Sequence, residues 1–355
     1  MKKKIVSLFA LILALAMVFC ACGEAPAVED GSSEEESSEP ESSVEIEVDP
    51  IINPLTGEAG YDEAKLKNRP VAVMINNIEV ALPQRGISEA DIIYELPVEG
   101  PITRMMAVFA DYNDMSDIGS IRSARHDYIE LVLPLDAIYL HIGTSTYAKE
   151  AISKYKVNDL DGIAYSNVAF YYDKERAKKK ATEHCWFSNA ELLKAGIKAK
   201  GLGTELEKPL DPLFNFSDTA DAAMTETAVS ITVPQSNVCT ATFEYNAATG
   251  LYEKGEYGVD HVDTNTGKAC AVKNVFLMYT KVGLKPNGKH KEVEMNSGHG
   301  YYIVNGKMTE VTFEKDDEYG MIRVLNKDGS ECEVMPGQTW FCIVPDNFES
   351  KLVIE

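Results

Sequence analysis

The sequence predicts an α+β fold with an N-terminal mixed α/β domain (residues 51–210) followed by a mostly antiparallel β C-terminal domain (residues 225–355). Up to about residue 200, segments typical of strands alternate with segments typical of helices. Residues 208–212 (KPLDP) then interrupt the pattern, and strand-like segments follow one another beyond them, separated by turns that contain glycine. Because 45% of the 355 residues are hydrophobic, both domains can bury a core.

The predicted N-terminal domain begins with a buried strand and a β-hairpin. Residues 69–76 (RPVAVMIN) form a short apolar run, and residues 91–99 alternate apolar and polar side chains. Another apolar run follows at residues 102–110 after a Gly-Pro turn, which predicts the hairpin. The next predicted elements are a helix that begins at Ser120 or Ser123 and ends at Leu133, a strand at residues 137–142, a helix at residues 147–155, and a helix that begins at a capping box of Ser188 and Glu191 and ends at Lys200.

Strands predominate in the predicted C-terminal domain. The pairs Asn305-Gly306 and Asp328-Gly329 are typical of tight hairpin turns, because both residue types tolerate positive φ. Strands are predicted at residues 229–233, 240–245, 251–254, 273–282, 301–304, 321–325 and 338–344.

The first 22 residues predict export and lipid attachment. Three lysines precede residues 5–19, an uncharged apolar stretch that is too short to span a bilayer but suits the core of a signal peptide. Cys22 follows a small residue and resembles the lipobox cysteine of bacterial lipoproteins, whose thiol is diacylated. We therefore predict a lipoprotein signal peptide at residues 1–21 and lipidation of Cys22, with Cys20 as the lesser candidate and an ordinary secretory signal as the alternative.

Residues 22–50 are predicted to be an acidic, disordered tether. Eleven acidic residues and no basic residue lie between positions 24 and 49, with too little apolar surface to offset the entropy of folding. The predicted location is therefore the extracytoplasmic face of the cell membrane, with the body held there by its lipid. The whole chain has 56 acidic and 34 basic residues and a formal net charge of -22, which argues against nucleic acid as a partner.

Two arginines are the strongest candidates for a binding site. Arg122 and Arg125 are three positions apart at the predicted start of a helix, so both side chains are expected to project to one side and bind an anion. His184, preceded by the basic residues 178–180, is the predicted second side of the same site. The alternative is that both arginines pair with buried carboxylates such as Glu95, with the lysines on a solvated surface.

Two carboxylates on the predicted hairpin suggest a different chemistry. Glu95 and Glu99 are expected to share a face, with Arg104 opposite Pro97 and within reach of both. Such a pair can act as the general acid and base of a glycosidase, or it can form a closed ion-pair network with the arginine.

The sequence does not predict a metal or a cofactor. Asp263, Asn265 and Gly267 superficially suggest a calcium loop, but Lys268 stands where that loop requires glycine. The cysteines lack Cys-x-x-Cys spacing. One disulfide within the C-terminal domain is compatible with export, but the sequence does not select a pair among Cys239, Cys270, Cys332 and Cys342.

Several motifs resemble the YerB-like lipoproteins. The N-terminal motifs are NPLTG (53–57), RPVAVM (69–74), ADIIYE (90–95), VEG (98–100), ITR (102–104) and IRSAR (121–125), and those of the C-terminal domain are residues 245–252, 274–275 and PGQTW (336–340). The sequence departs from the family at ATEH (181–184), where members tend to show Ala-Pro-His-Asn, and at Phe313-Glu314, where a tryptophan is expected. The resemblance implies a bacterial lipoprotein with two family domains and no assigned function.

Two classes of function fit these observations. The first is a membrane-anchored, non-enzymatic module that binds an anionic glycan, a phosphate-bearing or peptidoglycan-type ligand, or a wall-synthesis protein. The second is a hydrolase or transferase that acts on envelope glycans through Glu95 and Glu99. The sequence favours the first, because it contains no recognisable nucleophile, metal or nucleotide motif.

Overall fold

A mixed β-sheet of eleven strands forms the centre of the structure, a computed structural model that describes residues 50–355. The predicted signal peptide, Cys22 and residues 23–49 of the predicted tether lie outside the described residues. No helix in the described part of the chain is long and apolar enough to cross a membrane.

The N-terminal segment contributes strands and the α-helices of the described chain. Its hairpin, β2 and β3, forms where the sequence predicts it, and α2 also matches its prediction. The elements are β1 Val71–Asn76, β2 Ile92–Glu99, β3 Ile102–Phe109, β4 Ile118–Gly119, α1 His126–Val132, β5 Ile138–His141, α2 Thr146–Tyr155, β6 Asp159–Asp161, α3 Gly162–Tyr165, β7 Tyr171–Tyr172, β8 Trp186–Ser188 and α4 Ala190–Lys200.

The C-terminal segment is built from strands, as predicted. Its long hairpin turns at Asn305 and Gly306, which both have positive φ, and continues into β22, a strand that the sequence prediction missed. The strands are β9 Asn215–Phe216, β10 Glu226–Thr227, β11 Ser230–Pro234, β12 Thr240–Asn246, β13 Leu251–Glu256, β14 Val259–Asp260, β15 Val262–Asp263, β16 Lys268–Ala269, β17 Ala271–Val272, β18 Asn274–Thr280, β19 Val282–Leu284, β20 Lys291–Val293, β21 Ser297–Val304, β22 Lys307–Glu314, β23 Arg323–Asn326, β24 Glu333–Val334, β25 Thr339–Pro345 and β26 Val353–Ile354.

The central sheet takes strands from both segments. Its order is β10-β22-β21-β18-β25-β2-β3-β1-β5-β6, with β23 paired to β22. Most neighbours are antiparallel, but β25 runs parallel to both β2 and β18, and β1, β5 and β6 run parallel to one another. The α+β fold class is confirmed. Because strands of both segments form this one sheet, the sheet itself does not mark a boundary between two domains. The domain boundaries at residues 51–210 and 225–355 stay a prediction.

Both faces of the central sheet are covered. A second sheet has six strands in the order β14-β13-β12-β11-β26, with β17 paired to β13. On one face of the central sheet, Leu193 of α4 and Phe243 of this second sheet join Trp340 in one apolar core. On the other face, Tyr128 of α1 packs in a second core with Phe341. Alternate residues of the same strands therefore enter different cores, which follows from the two-residue period of a strand.

Two helix starts differ from their predictions. The helix predicted to begin at Ser120 or Ser123 begins at His126, because the preceding residues instead bridge to neighbouring strands, at Ile121 with Ile75 and at Ala124 with Thr144. The N-cap of α4 is Asn189, one residue after the predicted cap Ser188. Asn189 accepts the hydrogen bond from the backbone N–H of Leu192, while the Ser188 hydroxyl donates to the carbonyl of Ala169.

Candidate anion-binding site

An extended segment before α1 crosses the carboxyl ends of the parallel strands β1 and β5. The backbone N–H of Asn76, the last residue of β1, donates to the carbonyl of Ser120, and Ala124 bridges to Thr144 just beyond β5. In open sheets with parallel strands, ligands typically bind at this edge. The segment therefore carries Arg122 and Arg125 to the edge of the sheet at which such ligands bind.

Three arginines meet there around one carboxylate, and we call Arg104, Arg122, Arg125 and Glu99 the arginine cluster. Arg104 is only 3% exposed, and its Nη1 donates to the carbonyl of Ser123 at 2.7 Å. The Nε of Arg125 donates to Oε1 of Glu99 at 2.6 Å, while the Nη2 of Arg104 lies 3.8 Å from Oε2 of Glu99. One carboxylate thus serves two of the three guanidinium groups.

Arg122 has no such partner. Its Nε is buried without a hydrogen bond, and its guanidinium donates to none of the described residues. His184 lies close enough for the positive charge of Arg122 to lower the pKa of its ring, although burial is the larger cause. The side-chain amide of Asn76 donates a hydrogen bond to Nδ1 of His184 at 2.8 Å. The neutral imidazole of His184 therefore carries its proton on Nε2, and this N–H can donate a hydrogen bond.

The electrostatics of the cluster reflect its excess of positive charge. Burial, followed by repulsion from Arg125, lowers the pKa of Arg104 to about 9. Burial also lowers the pKa of Arg122, where Glu183 opposes the effect and Arg125 adds to it. Although burial alone would raise it, Arg104 and Arg125 hold the pKa of Glu99 below its usual value. The guanidinium groups repel one another and have lost part of their hydration. An anion that binds between them would offset both costs.

The predicted residues therefore come together, but not by the predicted geometry. Arg122 and Arg125 lie in extended chain rather than one turn apart on a helix, so the expected helical spacing is wrong. The basic residues 178–180 contribute little. Lys178 pairs with Glu175 on the surface, while the Nζ of Lys180 donates to the carbonyl of Val80 at 2.7 Å.

Glu95 lies elsewhere, and the prediction that it shares a face with Glu99 is wrong. The pairing of β2 with β3 shifts between Pro97 and Glu99, and this irregularity turns the Glu99 side chain toward the arginines. The same register places Arg104 opposite Leu96 rather than Pro97. Glu95 and Glu99 therefore have separate sets of partners.

A buried charge network surrounds Glu95 instead, and we call Glu95, Lys254 and Glu256 the buried triad. All three side chains are fully buried. The Nζ of Lys254 bonds to Glu256 and lies 3.9 Å from Oε2 of Glu95, which also accepts a hydrogen bond from Nε1 of Trp340 at 3.0 Å. Although burial alone would lower it, Glu256 and Glu95 raise the pKa of Lys254. Sequence reasoning missed Lys254, because an isolated lysine in a strand resembles a solvated one.

Glu95, Glu256 and Cys239 also form the one group with metal-ligand spacing among residues 50–355. Their ligand atoms lie within 4.8 Å of one another. The ammonium of Lys254 already bonds to Glu256 there, so the residues do not fit a cation well. Burial raises the pKa of the Cys239 thiol, which therefore stays protonated. Among the described residues the cysteines are free and buried, at positions 185, 239, 270, 332 and 342.

Asp127, in the first turn of α1 beside the cluster, gives a prediction for pH dependence. Burial raises its pKa to about 7, while burial and the charge of Lys285 lower the pKa of His126 to about 4. Their contact at 3.2 Å is therefore not an ion pair near pH 6. Between about pH 4 and pH 7 the folded protein keeps a proton on Asp127 that the unfolded chain has lost, so the contribution of Asp127 to the free energy of unfolding falls as the pH rises through this window. His126 contributes with the opposite sign up to about pH 6.5, because the unfolded chain holds a proton on this ring that the folded protein has lost.

We expect Asp127→Asn to remove the falling contribution, so that the free energy of unfolding of the variant rises relative to wild type between pH 5 and pH 8. The amide oxygen can still accept the backbone hydrogen bond of Val293, so the main change is the loss of a buried charge above pH 7. Urea unfolding at pH 5 and pH 8 measures the effect. The variant should be more stable than wild type at pH 8, by at most a few kcal/mol at about 1.4 kcal/mol per pKa unit. An equal slope in both proteins would assign the pH dependence to other groups.

The fold is that of an α+β protein with three arginines clustered at the edge of its central sheet. The chain belongs to the family described as "Protein of unknown function (DUF3048)", whose N-terminal domain model matches residues 55–203 and whose C-terminal domain model matches residues 229–341. The resemblance to YerB-like proteins seen in the motifs is thereby confirmed.

One relative and one solved structure extend this match over most of the chain. The relative, "Putative lipoprotein YerB" from Bacillus subtilis (strain 168), is 29% identical over 295 residues, which cover 82% of this chain and 86% of its own. The crystal structure of the YerB protein from Bacillus subtilis superimposes with a TM-score of 0.75 at 26% identity, covering 86% of this chain and 99% of that one. A described lipoprotein thus shares both the sequence and the fold.

Proposed function

We propose that this protein is a lipid-anchored envelope protein that binds an anionic, phosphate-bearing ligand at the arginine cluster. The observation that carries the proposal is the charge imbalance of the cluster. The guanidinium groups of Arg104 and Arg125 share the single carboxylate of Glu99, and Arg122 has no hydrogen-bond partner among the described residues. A phosphate group accepts several charge-assisted hydrogen bonds at once and so compensates this excess better than a single carboxylate does.

The binding experiment uses the chain without its signal peptide and lipid cysteine (residues 23–355), titrated calorimetrically with pyrophosphate and with glycerol 3-phosphate. We expect binding that weakens steeply between low and physiological salt, because the attraction is between charges. Acetate serves as the control for a single carboxylate and should bind more weakly. Failure of both phosphates to bind at millimolar concentration would contradict the proposal.

The anchoring half of the proposal concerns Cys22. Its support is the lipobox-like sequence together with a relative that carries the description of a lipoprotein. Two acyl chains on Cys22 would anchor the protein stably, where one chain gives only reversible binding.

We expect Cys22→Ser to release the protein from membranes or to leave an uncleaved precursor. Detergent-phase partitioning of cells that express either form measures this, with Cys20→Ser as the matched control that should partition like wild type. If Cys20→Ser is released and Cys22→Ser is not, the modified cysteine is Cys20.

A further inference from the structure

A cavity lies at the tip of the β2–β3 hairpin, and none of the three arginines lines it. It has a volume of about 440 Å³, within the range of small-molecule sites. Ile102, Leu284 and Phe348 form apolar parts of its wall. Leu284 is 54% exposed, so its side chain is accessible to a ligand in the cavity.

Two lysines give the cavity its charge. Lys289 and Lys291 line it on either side of His290, whose ring instead faces Glu99 at 3.5 Å. Neither lysine forms an ion pair with a described residue, whereas Lys285 in the same hairpin pairs with Glu292 at 2.6 Å. Among the residues that line the cavity there is no aspartate or glutamate. The wall therefore presents positive charge without a counter-charge of its own.

Two ammonium groups beside an apolar wall match a ligand with an acidic head and an apolar tail.

We propose that this cavity binds an anionic amphiphile, with its carboxylate or phosphate between Lys289 and Lys291 and its apolar chain against Ile102, Leu284 and Phe348. The site uses none of the three arginines, so it stands independently of the proposed function. The same chemistry can come from a free alkyl acid or from the headgroup of an anionic membrane lipid. The experiment separates these two sources.

The chain of residues 23–355 is titrated calorimetrically with dodecanoate and dodecyl phosphate below their micelle concentrations, and is sedimented with vesicles of phosphatidylglycerol and phosphatidylcholine. Dodecyl maltoside is the neutral control ligand. The variants are Lys289→Gln with Lys291→Gln, and Leu284→Ser, all on an exposed hairpin where the fold should tolerate them. Matched controls are Lys327→Gln, an exposed lysine paired elsewhere, and Val259→Ser, an exposed valine.

We expect the double lysine variant to weaken binding at least tenfold, Leu284→Ser to weaken it severalfold, and both controls to bind like wild type. Pyrophosphate binding at the arginine cluster should not change in any of them. If only vesicles bind, and the lysine variant abolishes this, the amphiphile is a membrane lipid. Equal affinity for dodecyl maltoside, or no effect of the lysine and leucine variants, would overturn the proposal.

Discussion

Replacing Arg122 with glutamine should weaken phosphate binding at least tenfold while leaving the protein as stable as wild type or more so. Charge-assisted hydrogen bonds contribute about 1.5–3 kcal/mol each, and 1.4 kcal/mol is a factor of ten. The guanidinium of Arg122 makes no hydrogen bond within the described residues, and burial lowers its pKa although Glu183 opposes the effect. Its removal therefore costs the folded protein little and relieves some of the charge excess.

Calorimetric titration with pyrophosphate and urea unfolding, both on residues 23–355, measure the two effects. Lys178→Gln is the matched control, since its ammonium pairs with Glu175 on the surface and should affect neither quantity. Arg125→Gln provides the contrast, because it removes the closest partner of Glu99 and should destabilise the fold. An Arg122→Gln protein that binds normally and unfolds more easily would make Arg122 a structural residue.

The strands and the composition of the site were predictable because their signals are local. Runs of apolar residues at the period of a strand give the β2–β3 hairpin and most of the C-terminal strands. Arg122 and Arg125 are recognisable as a candidate site because they lie three positions apart in a chain with a formal net charge of -22. Strand β22 also has a local signal, although the prediction missed it. The Asn305-Gly306 turn is typical of a hairpin, and a hairpin has a strand on each side of its turn.

The errors have long-range causes. The bridges of Ile121 to Ile75 and of Ala124 to Thr144 prevent an earlier start of α1, and no signal near Ser120 or Ser123 reveals them. A shift in strand pairing that begins at Pro97 separates Glu95 from Glu99, although simple alternation places them on one face. Such shifts depend on the packing of both strands and not on the spacing of two residues.

The buried triad shows the same limit most clearly. Glu95 bonds to Trp340, 245 positions away in the chain, and its counter-charge comes from Lys254 on another sheet. Each residue by itself is an ordinary polar position in a strand. Only the packing of the six-stranded sheet on the central sheet gives Lys254 its role.

Lys254→Met should accordingly be among the most destabilising single substitutions in the chain, costing about 3–5 kcal/mol, because it leaves Glu95 and Glu256 buried without a counter-charge. Burial raises the pKa of Glu95 and Lys254 opposes this, so without the lysine Glu95 should keep its proton in the folded protein to higher pH. The unfolded chain loses this proton near pH 4, so the free energy of unfolding should fall as the pH rises above 4.

Urea unfolding at pH 5 and pH 8 measures this loss, and the exposed Lys327→Met is the matched control that should not change stability. Adding Glu95→Gln and Glu256→Gln to Lys254→Met removes the uncompensated charges and should recover much of the stability and abolish the added pH dependence. This recovery separates charge from packing, since the loss of lysine methylene contacts would persist in the triple variant. A Lys254→Met protein as stable as wild type at pH 8 would mean that the triad is not held together by charge.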